Sequence, residues 1–91
     1  MLRIVAYDIA DPKRLRAMAK ACLDYGIRAE KSVFECRLET DVFEAMWKRL
    51  VDIADPDEDA LVVYPVCQGC ERSVRTFGQP LHTEASSVYV V

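Results

Sequence analysis

The chain opens with an almost unbroken apolar stretch, Leu2 to Asp8, which predicts a β-strand. Ile4, Val5 and Tyr7 favour the pleated conformation. A run of this kind is typical of a central strand, covered on one face and paired along both edges. The stretch ends on the carboxylate of Asp8, at a sheet end where side chains reach solvent, a metal or a partner. From the residues alone, Asp8 is either a turn acid or a functional one.

Apolar residues at helical spacing predict two helices. Asp11 as N-cap and Pro12 as first helical residue open the first helix, and Gly26 ends it. Thr40 is expected to cap the second helix, which ends at Asp55-Pro56. The apolar stripes consist of Leu15, Met18, Ala19, Cys22 and Leu23 in the first helix and of Phe43, Met46, Trp47, Leu50, Ile53 and Ala54 in the second.

The remaining segments are extended. Residues 27–38 alternate with a period of two and form either one long strand or two short ones folded near Lys31-Ser32. Two right-handed crossovers with both helices on one face require a hairpin there, so we favour the hairpin. Ala60 to Val66 predicts a central or near-central strand. Ser73 to Phe77 predicts a short strand, and Val88 to Val91 a last one.

This order predicts an α+β fold: a ferredoxin-like β-α-β-β-α-β sandwich with extra C-terminal strands, in one domain over residues 1–91. With 91 residues, the chain can bury one modest core, and its hydrophobic fraction of 52% excludes a disordered chain. No apolar run is long enough to cross a bilayer and no signal peptide is recognisable, so we expect a cytoplasmic protein and no membrane partner.

The charge is unevenly distributed around a net value of −3. The first helix is basic, whereas the region between Glu39 and Asp59 is acidic. Basic residues on one helix can follow a line of phosphates, although an ordinary solvated face is the simpler interpretation. The basic residues of the first helix are Lys13, Arg14, Arg16 and Lys20.

Cys67-x-x-Cys70 has the spacing of a metal or redox motif. A zinc site would need two more ligands, and Cys22 and Cys36 are expected to be buried in the core. A redox motif normally lies between a strand and a helix, and the sequence predicts no clear helix after Cys70. We therefore expect a reduced tight turn, with all four cysteines reduced and no zinc. The single histidine, His82, is expected to be a solvated loop residue rather than a general base.

Several short motifs, in their order and spacing, resemble the family of CRISPR-associated protein two. This is the small universal CRISPR adaptation protein, the companion of the CRISPR integrase. The resemblance extends to about Cys70, and Lys31 departs from it because many members carry Gln at that position. The motifs are Tyr7-Asp8-Ile9, Asp11-Pro12-Lys13-Arg14, Tyr25-Gly26, Ser32-Val33-Phe34-Glu35 and Tyr64-Pro65-Val66-Cys67.

The resemblance implies a symmetric homodimer in which the C-terminal strand, about residues 87–91, packs against the partner's sheet. The two copies of Asp8 would face each other and bind magnesium or manganese. Some members are described as metal-dependent endonucleases that cleave RNA or DNA. Others resemble scaffolds that hold duplex DNA for the CRISPR integrase, and Arg14 and Arg16 match basic positions near that DNA.

Three hypotheses follow from the sequence. The first is a metal-dependent endonuclease that uses Asp8, acting on single-stranded RNA or duplex DNA. The second is a DNA-holding scaffold in which Asp8 is structural. The third is a non-catalytic ferredoxin-like binding module unrelated to that family, with a metal at Cys67 and Cys70 as one option. One carboxylate is a poor metal site, but two brought together across a two-fold axis form a plausible one.

Overall fold

A computed structural model describes residues 1–78 of the chain. The expected strand Val88 to Val91 and His82 lie outside the described residues. Seven elements follow one another: β1 Leu2–Asp8, α1 Pro12–Tyr25, β2 Ile27–Glu30, β3 Val33–Arg37, α2 Thr40–Ile53, β4 Ala60–Val66 and α3 Gln68–Arg72. Among the helices of residues 1–78, none is both long and apolar enough to span a membrane.

Four strands form one sheet in the order β2-β3-β1-β4, and every neighbouring pair is antiparallel. This is the predicted ferredoxin-like α+β arrangement, with β1 at an inner position. The predicted hairpin at residues 27–38 is confirmed as β2 and β3. Within residues 1–78, β4 pairs only with β1 and forms an edge rather than a central strand. It contains Pro65, which lies opposite Arg3.

Both long helices bury their apolar residues against one face of the sheet. Val5, Phe34 and Cys36 from the strands meet Met18 and Leu50 from the helices, and all five are fully buried. The predicted stripe of α1 was partly wrong, because Leu15 and Leu23 are 41% and 47% exposed. The buried face of α1 centres on Met18, Ala21 and Cys22. Leu23 lies on the flank of that face because it is turned by about 100° from Cys22.

The structure confirms the predicted N-cap of α1. It corrects the predicted N-cap of α2 and the expected conformation of Gly26. Asp11 caps α1, and its carboxylate accepts a hydrogen bond from the amide of Arg14 at 3.0 Å. In α2 the cap position belongs to Glu39, and Thr40 is the first helical residue. Gly26 ends α1 in an extended conformation, not a left-handed one. A Cβ atom on Gly26 would lie 2.5 Å from the carbonyl oxygen of Glu35, so glycine is needed for close packing on β3.

The segment after β4 differs from the prediction. The chain enters helix α3 directly after Cys67, and residues 74–77 have no regular structure, so the strand predicted at Ser73 to Phe77 is wrong. The sulfur of Cys67 accepts a hydrogen bond from the amide of Cys70 at 3.5 Å and so caps the helix. Glu71 forms an ion pair with Arg37 at the end of β3. The amides of Ser73 and Val74 donate to the carbonyl oxygens of Cys70 and Glu71 at 3.0 and 3.2 Å, so helical turns continue where the strand was predicted to begin.

Asp59, which directly precedes β4, joins three separate parts of the chain. Its side chain is inaccessible to solvent and pairs with Arg14 of α1, with 2.8 Å between Nε and Oδ2. It also accepts hydrogen bonds from the amides of Ala10 at 2.9 Å and Asp55 at 2.8 Å. The Arg14 guanidinium, together with these two amides, holds the pKa of Asp59 well below its usual range.

We predict that Asp59→Asn destabilises the fold, because it removes the charge that Arg14 and the amides of Ala10 and Asp55 bind. The melting temperature should fall by about 5 °C or more. Asp57→Asn is the matched control, since Asp57 is exposed and its carboxylate makes no hydrogen bond within residues 1–78. Thermal unfolding of both variants checks the prediction, and equal melting temperatures would contradict it.

The same carboxylate should produce an acid dependence of stability. The pKa of Asp59 is lower in the folded chain than in the unfolded chain, where an Asp side chain has a pKa of about 3.9. The ionised Asp59 carboxylate therefore stabilises the folded chain above the pKa of the unfolded state. This stabilisation is lost as the pH falls below that value towards the lower pKa of the folded state. Denaturant unfolding between about pH 6 and pH 3 should show a larger loss of stability for the wild type than for Asp59→Asn.

Candidate functional site

Asp8 is the last residue of β1 and its side chain is exposed. It lies opposite Ala60, the first residue of β4. Val5 and Tyr7 belong to the core under the helices, so the alternation of side chains along β1 places Asp8 on the opposite face of the sheet. The structure therefore brings the predicted site residue to the end of the face that the helices leave uncovered.

This uncovered sheet face is largely apolar. Val62 and Tyr64 of β4 are 39% and 57% exposed, and they pair across the strands with Ala6 and Ile4 of β1. A shallow hollow of about 270 Å³ reaches along this face from Ala6 to Asp8 and Val62. Contiguous apolar surface of this kind commonly marks an interaction site. Asp8 thus borders a surface suited to a protein partner.

On its other side, Asp8 borders a groove of about 450 Å³ that carries three cations. They are Arg16 from α1, Arg28 from β2 and Lys31 from the β2–β3 turn. The turn is fixed to β1 because the hydroxyl of Tyr7 donates to the carbonyl of Lys31 at 3.3 Å. With one carboxylate against three cations, the groove favours an anionic ligand.

Arg28 is a site residue that the sequence interpretation missed. Its guanidinium lies over the ring of Phe34, 5.2 Å from the centroid, and its Nε is buried without a hydrogen-bond partner within residues 1–78. Burial raises the pKa of the neighbouring Tyr7, whereas the Arg28 cation acts in the opposite direction. The period of two along residues 27–38 assigned Arg28 to a strand. The pairing of β2 with β3 is irregular between Arg28 and Glu30, and this irregularity alters the alternation of side chains between the two faces of the sheet.

The structure separates the two arginines that were predicted to contact nucleic acid. Arg14 is held by Asp59 and also lies 3.5 Å from Glu58, so a phosphate would have to compete with two carboxylates for it. Arg16 is exposed, makes no ion pair within residues 1–78 and lines the same groove as Asp8. The role of both in binding stays a prediction, but their surroundings favour Arg16.

Residues 1–78 of a single copy offer a poor metal site. Among residues 1–78, no three His, Cys, Asp or Glu side chains come together in a way that could hold an ion. The exposed Asp8 carboxylate is a suitable oxygen ligand for magnesium or manganese, but it supplies too few ligands alone. The predicted metal would therefore require further oxygen ligands besides this one carboxylate.

The cysteines are placed as follows. Cys22 and Cys36 are buried in the core, as predicted. Cys67 and Cys70 are exposed at the start of α3 and lie at the end of β4 remote from Asp8, since Val66 pairs with Leu2 and Ala60 with Asp8. The expectation that no helix follows this pair is wrong, because Cys70 itself belongs to α3.

A family profile and individual relatives of this chain agree with each other. The profile of the family described as CRISPR associated protein Cas2 matches residues 1–74. A Synechocystis protein named CRISPR-associated endoribonuclease Cas2 3 is 37% identical over 90 residues, which cover 99% of this chain and 98% of that protein. A protein of Halalkalibacterium halodurans named CRISPR-associated endonuclease Cas2 is 32% identical over 86% of each chain.

Solved structures agree with these relatives. The crystal structure of Streptococcus pyogenes Cas2 superposes with a TM-score of 0.75 at 38% identity, covering 86% of this chain and all of that one. A hypothetical protein from Thermus thermophilus gives a TM-score of 0.76 at 38% identity, covering 87% of this chain and 92% of its own.

We predict different effects for the two arginines. Arg16→Gln should weaken binding to duplex DNA of any sequence and reduce the salt dependence by about one released counterion, with an unchanged melting temperature. Arg14→Gln should lower the melting temperature, because it leaves Asp59 buried without its charge partner, and should affect binding less. Fluorescence anisotropy at several salt concentrations, beside thermal unfolding, separates the two. An Arg14→Gln protein of wild-type stability with a reduced salt slope would contradict this assignment.

Proposed function

This chain belongs to the Cas2 family of CRISPR-associated proteins, and we propose that it acts in CRISPR adaptation as a metal-dependent endonuclease built around Asp8. The observation that carries the proposal is the position of Asp8, between an uncovered apolar sheet face and a groove with three cations. The first surface suits a second copy of the chain, and the second suits a phosphodiester.

The first step of the proposal is a homodimer formed through the uncovered sheet face. A two-fold axis joins the same patch of both copies, so residues near the axis meet their own counterparts. Asp8 lies at the end of this face, and Ile4, Ala6, Val62 and Tyr64 supply apolar area along it. A dimer of this kind brings two Asp8 carboxylates together and removes exposed apolar surface from water. The C-terminal residues 87–91 would add to the same assembly.

The second step is binding of the nucleic acid and the metal. In the proposal, the paired Asp8 carboxylates hold magnesium or manganese, both of which prefer oxygen ligands. Once bound, the ion would neutralise charge on a phosphate and increase the acidity of a bound water. Arg16, Arg28 and Lys31 then hold the phosphate backbone beside the carboxylates. These contacts are to phosphate, so they position RNA or DNA without reading its sequence.

A second candidate is a scaffold that holds duplex DNA for the CRISPR integrase. The excess of cations over carboxylates in the groove favours backbone binding whether or not cleavage follows. In that case Asp8 would act at the dimer interface only. The third hypothesis from the sequence, an unrelated binding module, is excluded by membership of the family.

Replacing Asp8 tests the nuclease proposal directly. Asp8→Asn keeps the shape of the side chain but removes its charge, so cleavage of labelled RNA or DNA with magnesium should fall by roughly 100-fold or more. Chelation of the metal should have the same effect on the wild type. Asp52→Asn, at an exposed position of α2, is the matched control. Wild-type cleavage by the Asp8→Asn protein would overturn the nuclease assignment and leave the scaffold.

Charge placed on the uncovered sheet face should disrupt the dimer. Tyr64→Glu introduces a carboxylate at the proposed interface, and burying it there without a partner is costly. Light scattering should then give the monomer mass at concentrations at which the wild type is dimeric. Val51→Glu, at a comparably exposed apolar position on α2, should leave the dimer unchanged. A Tyr64→Glu protein that stays dimeric would show that this face is not the interface.

A further inference from the structure

The four cysteines form two pairs of opposite character. Cys22 and Cys36 are completely buried, and burial raises their pKa values to about 12 and about 11. Cys67 and Cys70 are exposed at the start of α3. Since a thiolate is the reactive form of cysteine, the buried pair is protected both by its protonation and by its lack of access. The exposed pair is accessible to solvent and to reagents.

The structure places the two exposed cysteines on one turn of the chain. Cys67 directly precedes α3, and its sulfur accepts a hydrogen bond from the amide of Cys70 at 3.5 Å. Gly69 lies between them, and a Cβ atom there would make only an ordinary van der Waals contact of 3.9 Å with the sulfur of Cys67. The spacing therefore places two accessible thiols at the first turn of α3, with the sulfur of Cys67 held at the amide of Cys70.

Their surroundings make the two thiols unequal. The hydrogen bond from the amide of Cys70 lowers the pKa of Cys67. The neighbouring side chain of Cys67 raises the pKa of Cys70. Cys67 is therefore the thiol that ionises first and attacks, and Cys70 is the thiol that acts second.

We propose that Cys67 and Cys70 form a reversible dithiol–disulfide site that reacts with low-molecular-weight disulfides. The Cys67 thiolate attacks one sulfur of the small disulfide, and the small disulfide's other half leaves as a thiol. Cys70 then loses its proton and attacks the sulfur of Cys67, which releases the second half. The protein loses two protons and two electrons, and the small disulfide gains them as two thiols.

The surroundings give a small reagent access to Cys67. A groove of about 460 Å³ beside the sulfur is lined by Met1, Leu2, Arg37 and Val66, within the size range of small-molecule sites. The ion pair between Arg37 and Glu71 anchors α3 to the end of β3. The helix thus stays in place while the bond within its first turn forms.

The test uses the full-length reduced protein and oxidised glutathione, followed by alkylation of the remaining thiols and mass spectrometry. The expected product has lost two hydrogens, retains no glutathione and carries a bond between Cys67 and Cys70. Cys22 and Cys36 should be alkylated only after unfolding, and dithiothreitol should restore the original mass. Glutathione retained on the wild type, or a bond to another cysteine, would overturn the proposal.

Two variants assign the roles of the thiols. Cys70→Ser should retain one glutathione on Cys67, because the second thiol is missing. Cys67→Ser should react at least about tenfold more slowly, since the ionised thiol is removed. Equal rates for the two variants would contradict the proposed order. Metal analysis of the purified protein provides a further check, because zinc that is lost in Cys67→Ser would identify the pair as metal ligands instead.

Discussion

The carboxylate of Asp59 is the point at which the chain's separate segments are joined. It receives hydrogen bonds from Ala10 after β1, from Asp55 after α2 and from Arg14 on α1. A buried charge is stable only when its surroundings replace the water that it has lost, and these three donors do so. Asp59 therefore favours one arrangement of the two loops, since any other would leave the charge without partners.

This constraint also determines where the candidate site lies. Asp8 is two residues from Ala10, and it pairs with Ala60, the residue that follows Asp59. The ends of β1 and β4 are thus held together by the structural carboxylate of Asp59, beside the candidate site carboxylate of Asp8. The two neighbouring arginines differ in the same way. Arg14 stabilises the fold through its ion pair with Asp59, whereas Arg16 remains available to a ligand in the groove. Two basic residues two positions apart on one helix therefore have different surroundings and different expected roles.

Features determined by neighbours in the sequence were predictable. The apolar run of β1, the Asp11-Pro12 start of α1 and the need for a hairpin at residues 27–38 identified most of the fold. The end of the first strand singled out Asp8 from the residues alone, and the family resemblance gave expected roles to Asp8, Arg14 and Arg16. Interactions between distant residues were not predictable. The sequence placed Asp59 only at the end of an acidic region, although its partner Arg14 is 45 residues away. Arg28 was missed for the same reason, since its contact with Phe34 depends on the pairing of β2 with β3.

Pro65 limits what can be added to the edge of the sheet. It lies in β4, whose outer edge pairs with no other strand within residues 1–78. A proline has no N–H to donate, so its nitrogen is tolerated only on the side that faces away from β1. An incoming strand can therefore bond to the amides of Leu61 and Val63 but finds no donor at Pro65. The proline therefore limits the length and the register of a strand that adds to this edge. It also protects the rest of the edge from non-specific pairing with other chains.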